Sequence, residues 1–138
     1  MSFDLSTLIT DRTNEDVLNQ TAKGSYNADD LNRVGAAMQY IADRFAAHGY
    51  QVSISPKTDW TASGYLSTAT AGKYLADLAV LRAALTVLTS TPNVPPDMDG
   101  LTYTEANNIE QILKDIDMLL TNAELAWYRS GDLYAGEV

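Results

Sequence analysis

Leu31, Val34, Met38, Ile41 and Phe45 follow one another at alternating steps of three and four residues, a spacing that gathers side chains on one stripe of an α-helix and scatters them on a β-strand. The spacing recurs twice. Tyr74, Leu78, Leu81, Leu85 and Leu88 form one repeat, widened by Leu75 and neighbouring alanines; Ile109, Ile112, Leu113, Ile116, Leu119, Leu120, Ala123 and Trp127 form the other. Helices with a single apolar stripe gain most of their stability by burying those stripes against each other. A chain of 138 residues, 46% of them hydrophobic and none of them cysteine, is long enough to do this without a disulfide or a metal. The expected architecture is all-α: one domain, 1–138, built as a small bundle of three long helices plus one short N-terminal helix.

Turn and cap residues set the expected boundaries. Asp11 or Thr13 can cap the first helix, with Glu15 and Asp16 favoured at its positive end and Lys23-Gly24 closing it. The second runs from about Ala28 to Ala47. It opens within SYNADDLNRVG, where Asn27 is the expected N-cap, Asp29 and Asp30 occupy the first turn, and Asp29 reaches Arg33 one turn on. Gly35 and Ala42 flank its seam and would admit a second helix closely, and Gly49 is placed to end it. The third, from about Thr70 to Leu88, is expected to be the most buried. The fourth starts at Thr102, which forms a capping box with Glu105, and its polar face carries Glu110, Lys114, Asp117 and Glu124. Tyr50, Val52 and Ile54 alternate with polar residues up to Pro56, as in a short strand around 50–55. The glycine-rich C-terminal SGDLYAGEV is expected to leave the helix and can pair with that strand as an edge, giving a minor β element. TPNVPPDMDG, with three of the four prolines, reads as a stiff connector.

Nine basic residues stand against 18 acidic ones, a net charge of -9. Phosphate-backbone binding draws on clustered Lys and Arg, so neither nucleic acid nor an anionic membrane surface is an expected partner. The opening MSFDLSTLITDR has no basic stretch followed by an apolar run, and nothing in the chain approaches bilayer-spanning length. Synthesis as a soluble protein in a cytoplasm is expected.

Catalytic equipment is sparse. His48 is the only histidine and sits at a helix end, where it can meet terminal carbonyls. Transition-metal sites recruit several His or Cys ligands, and the DMDG stretch at Asp97 to Gly100 does not continue as a calcium loop, since Thr102 and Asn108 fall where glycine and glutamate are required. No phosphate-cradling glycine pattern occurs. No enzyme activity, cofactor or metal is expected. Arg82, among leucines, is expected to pair with a neighbouring helix, with Asp115 as its candidate. The aromatics Trp60, Tyr65, Tyr128 and Tyr134 are candidate interface or recognition residues, Trp60 being the one expected to be exposed and Trp127 the one expected in the core.

Six stretches taken together, LITDRT, KGSYNADDLNRVG with AAMQYIADR, PKTDW, YLADLAVLRAAL, LTYTEANNIEQILKDID and AWYRSGDLYAGE, resemble small proteins encoded by tailed phages and prophages of gut and other Gram-positive bacteria. The resemblance implies a cofactor-free component of the tail, baseplate or fibre region, made in the bacterial host and carried in the virion, contacting other tail subunits and forming a homo-oligomer. Two further readings fit the composition. One is a small acidic protein that inhibits a host defence enzyme; the other is a carbohydrate-recognition module of the receptor-binding apparatus, with Trp60 and Tyr65 facing a cell-surface glycan.

Overall fold

The computed structural model describes residues 7–20, 28–50, 52–61, 68–85, 87–98 and 101–136, with side chains given throughout except at 68, 69 and 127–136. Four α-helices follow in order: α1 (Asn14–Leu18), α2 (Ala28–Ala47), α3 (Thr68–Ala83) and α4 (Tyr103–Gly136). The chain is a small all-α bundle, as its apolar periodicity requires. None of its helices is long and apolar enough to cross a membrane among the described residues.

Thr13, not Asp11, caps α1. Its hydroxyl accepts from the Asp16 backbone N–H at 3.2 Å while the Asp16 carboxylate accepts from the Thr13 N–H at 3.0 Å. The helix stops at Leu18, short of Lys23-Gly24, because Gln20 takes a left-handed conformation with φ 55°.

The second helix has the expected bounds and ends as expected, with Gly49 at φ 86° and the Tyr50 N–H returning to the Phe45 carbonyl. Its seam is fully enclosed: Val34, Met38, Ile41 and Phe45 retain no exposure. The most buried helix is therefore α2 rather than α3, whose Val80 stays exposed. The reason is position, since α2 touches α3, α4 and the segment from 52 to 60. Gly35 meets that segment instead of a second helix: a Cβ there would lie 2.4 Å from the Lys57 carbonyl oxygen.

The third helix ends at Ala83, before Leu88, and Arg82 explains the early stop. Its guanidinium donates to the carbonyls of Pro92 and Thr91 at 2.8 and 3.2 Å and to Asn93 Oδ1 at 3.3 Å, folding the proline-rich connector back onto the helix end. The expected Arg82–Asp115 pair is replaced by this clasp, and Asp115 instead accepts from Thr91 and Gln111 at 2.8 Å each.

The fourth helix begins at the expected capping box, with Glu105 N–H donating to the Thr102 hydroxyl at 3.1 Å and Thr102 N–H returning to Glu105 at 3.1 Å. It then runs for 34 residues, about 51 Å, straight through Ser130-Gly131. The expected C-terminal edge strand is thus helix. A helix already several turns long continues past one glycine at a propensity cost of about 1 kcal/mol, with no new nucleation. Among the described residues there is no strand at all. Val52 and Ile54 pack singly against the core instead, since a lone extended segment has no ladder partner.

Arg33 of α2 meets Glu110, whereas Arg44 meets Asp117 and Glu124. The two helices therefore run in the same direction, sealed between these ties by Met38, Ile41, Phe45, Leu113, Ile116 and Leu120.

Two glycine substitutions test the packing. Gly35→Ala should destabilise by about 1–3 kcal/mol despite alanine's higher helix propensity, because the backbone carbonyl of Lys57 must move. Gly72→Ala in α3 meets nothing within 4 Å and should stabilise by about 0.5–1 kcal/mol. Urea unfolding of both variants gives the signs; a neutral Gly35→Ala would remove the loop from its seat on α2.

Candidate functional site

The densest group of chemically capable side chains lies where the N-terminal segment crosses α2 and α4. Leu8 is buried in the core, and the chain beyond it is held by α4. Asn107 clasps the backbone of Arg12, its amide oxygen accepting the Arg12 N–H at 2.9 Å and its amide nitrogen donating to the Arg12 carbonyl at 3.0 Å. Lys114 adds a bond to the Thr10 hydroxyl at 3.4 Å. This places the Arg12 guanidinium under the segment, where its side chain is 1% exposed.

Glu110 is the centre of the group and is fully buried. One carboxylate oxygen accepts from the Ile9 N–H and from Arg33 Nε, both at 2.9 Å. The other accepts from Arg12 Nη2 at 2.6 Å and from Arg33 Nη2 at 3.0 Å. Asp30 bridges the same two guanidiniums, at 2.6 Å from Arg33 and 3.3 Å from Arg12. Two arginines and two carboxylates thus close a charge-balanced set. Burial by itself would lower the pKa of Arg33, but its hydrogen bonds to Glu110 and Asp30 overcome this and raise it, so the guanidinium stays charged.

Such a group holds structure together. A general base needs a carboxylate lone pair within reach of a substrate proton, whereas the four lone-pair positions of Glu110 are all taken by donors of the chain itself. Among the described residues no three His, Asp or Glu side chains gather as metal ligands.

A second ionic group ties the far end of α2 to α4. Arg44 pairs with Asp117 and, at 2.6 Å, with Glu124, and donates to the Thr121 hydroxyl at 3.2 Å. Its guanidinium stands 5.8 Å over the Tyr40 ring. His48 Nε2 lies 3.2 Å from the same Glu124 oxygen, so the histidine meets a side chain of α4 at its helix end. The hydrogen bond from Arg44, opposed by partial desolvation and reinforced by His48, holds the Glu124 carboxyl below the usual glutamate range.

The third group surrounds Trp60, which is 8% exposed. Asn32 binds both its backbone groups, accepting its N–H at 2.7 Å and donating to its carbonyl at 2.9 Å. Lys57 Nζ stands 5.2 Å over the indole. The ring lines a small cavity of about 60 Å³ shared with Pro56, Lys57, Lys73, Tyr74 and Asp77, and its Nε1 is buried without a protein hydrogen-bond partner. Lys73 is held by both oxygens of Asp77, at 2.7 and 2.6 Å.

The structure therefore reassigns several expected roles. Trp60 is a packed side chain, not an exposed platform, because the segment from 55 to 61 folds inward onto Gly35 and Asn32. Arg33 pairs with Asp30 and Glu110, where the sequence pointed to Asp29. Glu110 leaves the polar face it was placed on and becomes the best-satisfied acid in the core. Asn27 and Tyr65 lie outside the described residues, and Tyr128 and Tyr134 are described only as positions on the α4 backbone. Arg12, Asn107, Glu110 and Arg44 were not foreseen as a set. One signal existed: Ala106, Glu110 and Leu113 follow the same four-and-three spacing as the apolar seam, which puts Glu110 on the edge of the buried face. Nothing in the sequence marks Arg12, whose burial depends on a crossing of segments about a hundred residues apart.

No family model, curated protein or solved structure matches the chain.

Glu110→Gln should cost about 3–5 kcal/mol in chemical denaturation, because the buried Arg12 and the partly buried Arg33 lose their shared counter-charge. A change within error would mean that the arginines are solvated. For Glu124 the sign follows from its depressed folded pKa: the stabilisation is present above the unfolded value of about 4.3 and fades as pH falls through the lower folded value. Glu124→Gln should accordingly be less stable than wild type at neutral pH and approach it below about pH 4; a gap that persists in acid would refute the ion pair as its source.

Proposed function

We propose that the protein is a non-enzymatic structural component of the tail, baseplate or fibre region of a tailed phage, acting through contacts with other protein subunits. The observation that carries this is the shape of α4. Its last polar contact to another helix among the described residues is made by Glu124, and Leu125 and Ala126 after it are exposed, yet the helix continues to Gly136. The arm from 125 to 136 is about 18 Å long and carries the aromatic-rich sequence of the family resemblance, AWYRSGDLYAG. Aromatic residues alternating with an arginine and small residues suit protein contact surfaces.

The charged groups support the same reading from the other side. The buried arginines and carboxylates are engaged in holding the N-terminal segment, α2 and α4 in one register, which favours a scaffold over a reactive site. The carbohydrate reading loses its anchor, since a ring that is 8% exposed offers no face for stacking on a sugar. The acidic-inhibitor reading draws only on the net charge.

Mass spectrometry of purified particles of the encoding phage should detect this polypeptide at a fixed copy number, and antibodies against it should label the tail. Particles that lack it at every stage of purification would overturn the proposal.

A further inference from the structure

The segment from 55 to 60 folds against α3 and leaves between them the cavity of about 60 Å³, which opens to solvent. Its inner wall is mainly apolar and is made by the buried Trp60, Tyr74 and Asp77. Lys57 and Lys73, each with a side chain about half exposed, stand at its mouth. An apolar interior with ammonium groups at the opening suits a molecule that is apolar at one end and anionic at the other. We infer that this cavity binds a short-chain aliphatic monocarboxylate, its alkyl end against the Trp60 and Tyr74 rings and its carboxylate at the two lysines. The inference goes beyond the proposed function and does not rest on it.

Charge decides which end-group fits. A buried acid beside an aromatic ring would suit an amine, but Lys73 Nζ engages both Asp77 oxygens, at 2.7 and 2.6 Å, and Lys57 Nζ already stands 5.2 Å over the indole. The chain thus supplies its own cations, and the lining carries two positive groups against one negative. Each ammonium has three N–H groups; Lys57 directs one at Asp59, at 2.7 Å, and Lys73 directs at most two at Asp77. Donors therefore remain on both for an incoming carboxylate. The partner it displaces from Lys57 is weakly held, because the Asp59 side chain is 83% exposed. Volume sets the length. A cavity of about 150 Å³ takes a benzene ring, so one of about 60 Å³ holds roughly two or three carbon atoms. Propionate and butyrate have alkyl ends of that size, which leaves their carboxylates at the mouth, whereas hexanoate is too long.

Nuclear magnetic resonance of the full-length chain tests this, read at the Trp60 indole N–H. Of the two tryptophan indole signals, the one that remains in Trp127→Phe belongs to Trp60. At constant ionic strength, propionate and butyrate should move that signal saturably with a millimolar dissociation constant, the range open to a ligand of so few atoms. Propionamide, of the same size but uncharged, and hexanoate should each bind at least about fivefold more weakly. Lys57→Met should weaken propionate binding by at least about threefold. Asp59→Asn removes the competing carboxylate from an exposed position and should tighten propionate binding by about as much. A gain of affinity of this kind does not arise from a damaged fold. No saturable movement with either acid, equal binding of propionamide, binding of propylammonium in place of propionate, or a Lys57 or Asp59 variant that binds propionate as wild type does, would each overturn the inference.

Discussion

Glu110 accepts four hydrogen bonds from three different partners while keeping no contact with water, and the arrangement of the molecule depends on it. A carboxylate taken out of water without partners would be expensive enough to prevent folding. Its donors come from the N-terminal segment, through Ile9 and Arg12, and from α2, through Arg33. Only one relative placement of those two elements on α4 supplies all of them. Hydrophobic stripes can slide by a turn and still bury similar area, whereas this cluster cannot. It acts as a register device, a role that buried ionic groups fill more dependably than they add net stability.

The cluster also settles how a chain with twice as many acids as bases folds. Arg12 and Arg33 offset Asp30 and Glu110 within it, so the formal charge of -9 belongs entirely to the rest of the molecule. There Arg44 neutralises Asp117 and Glu124 at the opposite end of the α2 and α4 contact. Ionic ties at two levels with an apolar seam between them give a stiff pair of helices running the same way, with α3 and the 52 to 60 segment closing the remaining sides of α2. An acidic exterior of this kind favours solubility and discourages indiscriminate association.

Helix identity was legible because it is local. The α2 stripe, the bounds of α2, the Thr102 capping box and the Gly49 stop each rest on spacings of four residues or fewer and appear as the sequence implies, and the α3 and α4 stripes are buried at Tyr74, Leu78 and Leu81 and from Ile109 to Leu120. Misplacements occurred where another segment or an established helix overrode the local signal. The third helix stops early because Arg82 finds the carbonyls of Thr91 and Pro92; α4 runs on because an established helix absorbs a glycine; Trp60 turns inward because Asn32 holds its backbone.

What the sequence determined by itself was therefore the fold class, the number of helices and the faces they bury, since periodicity and capping act within one or two turns of chain. Tertiary structure alone decided which charges are buried and with whom. Arg12, Asp30, Arg33, Asn107 and Glu110 come from three segments, and no local spacing encodes their meeting. Whether a carboxylate is a solvated surface group, a reactive acid or the keystone of a core is set by desolvation and by the donors around it, quantities that exist only once the chain has closed on itself.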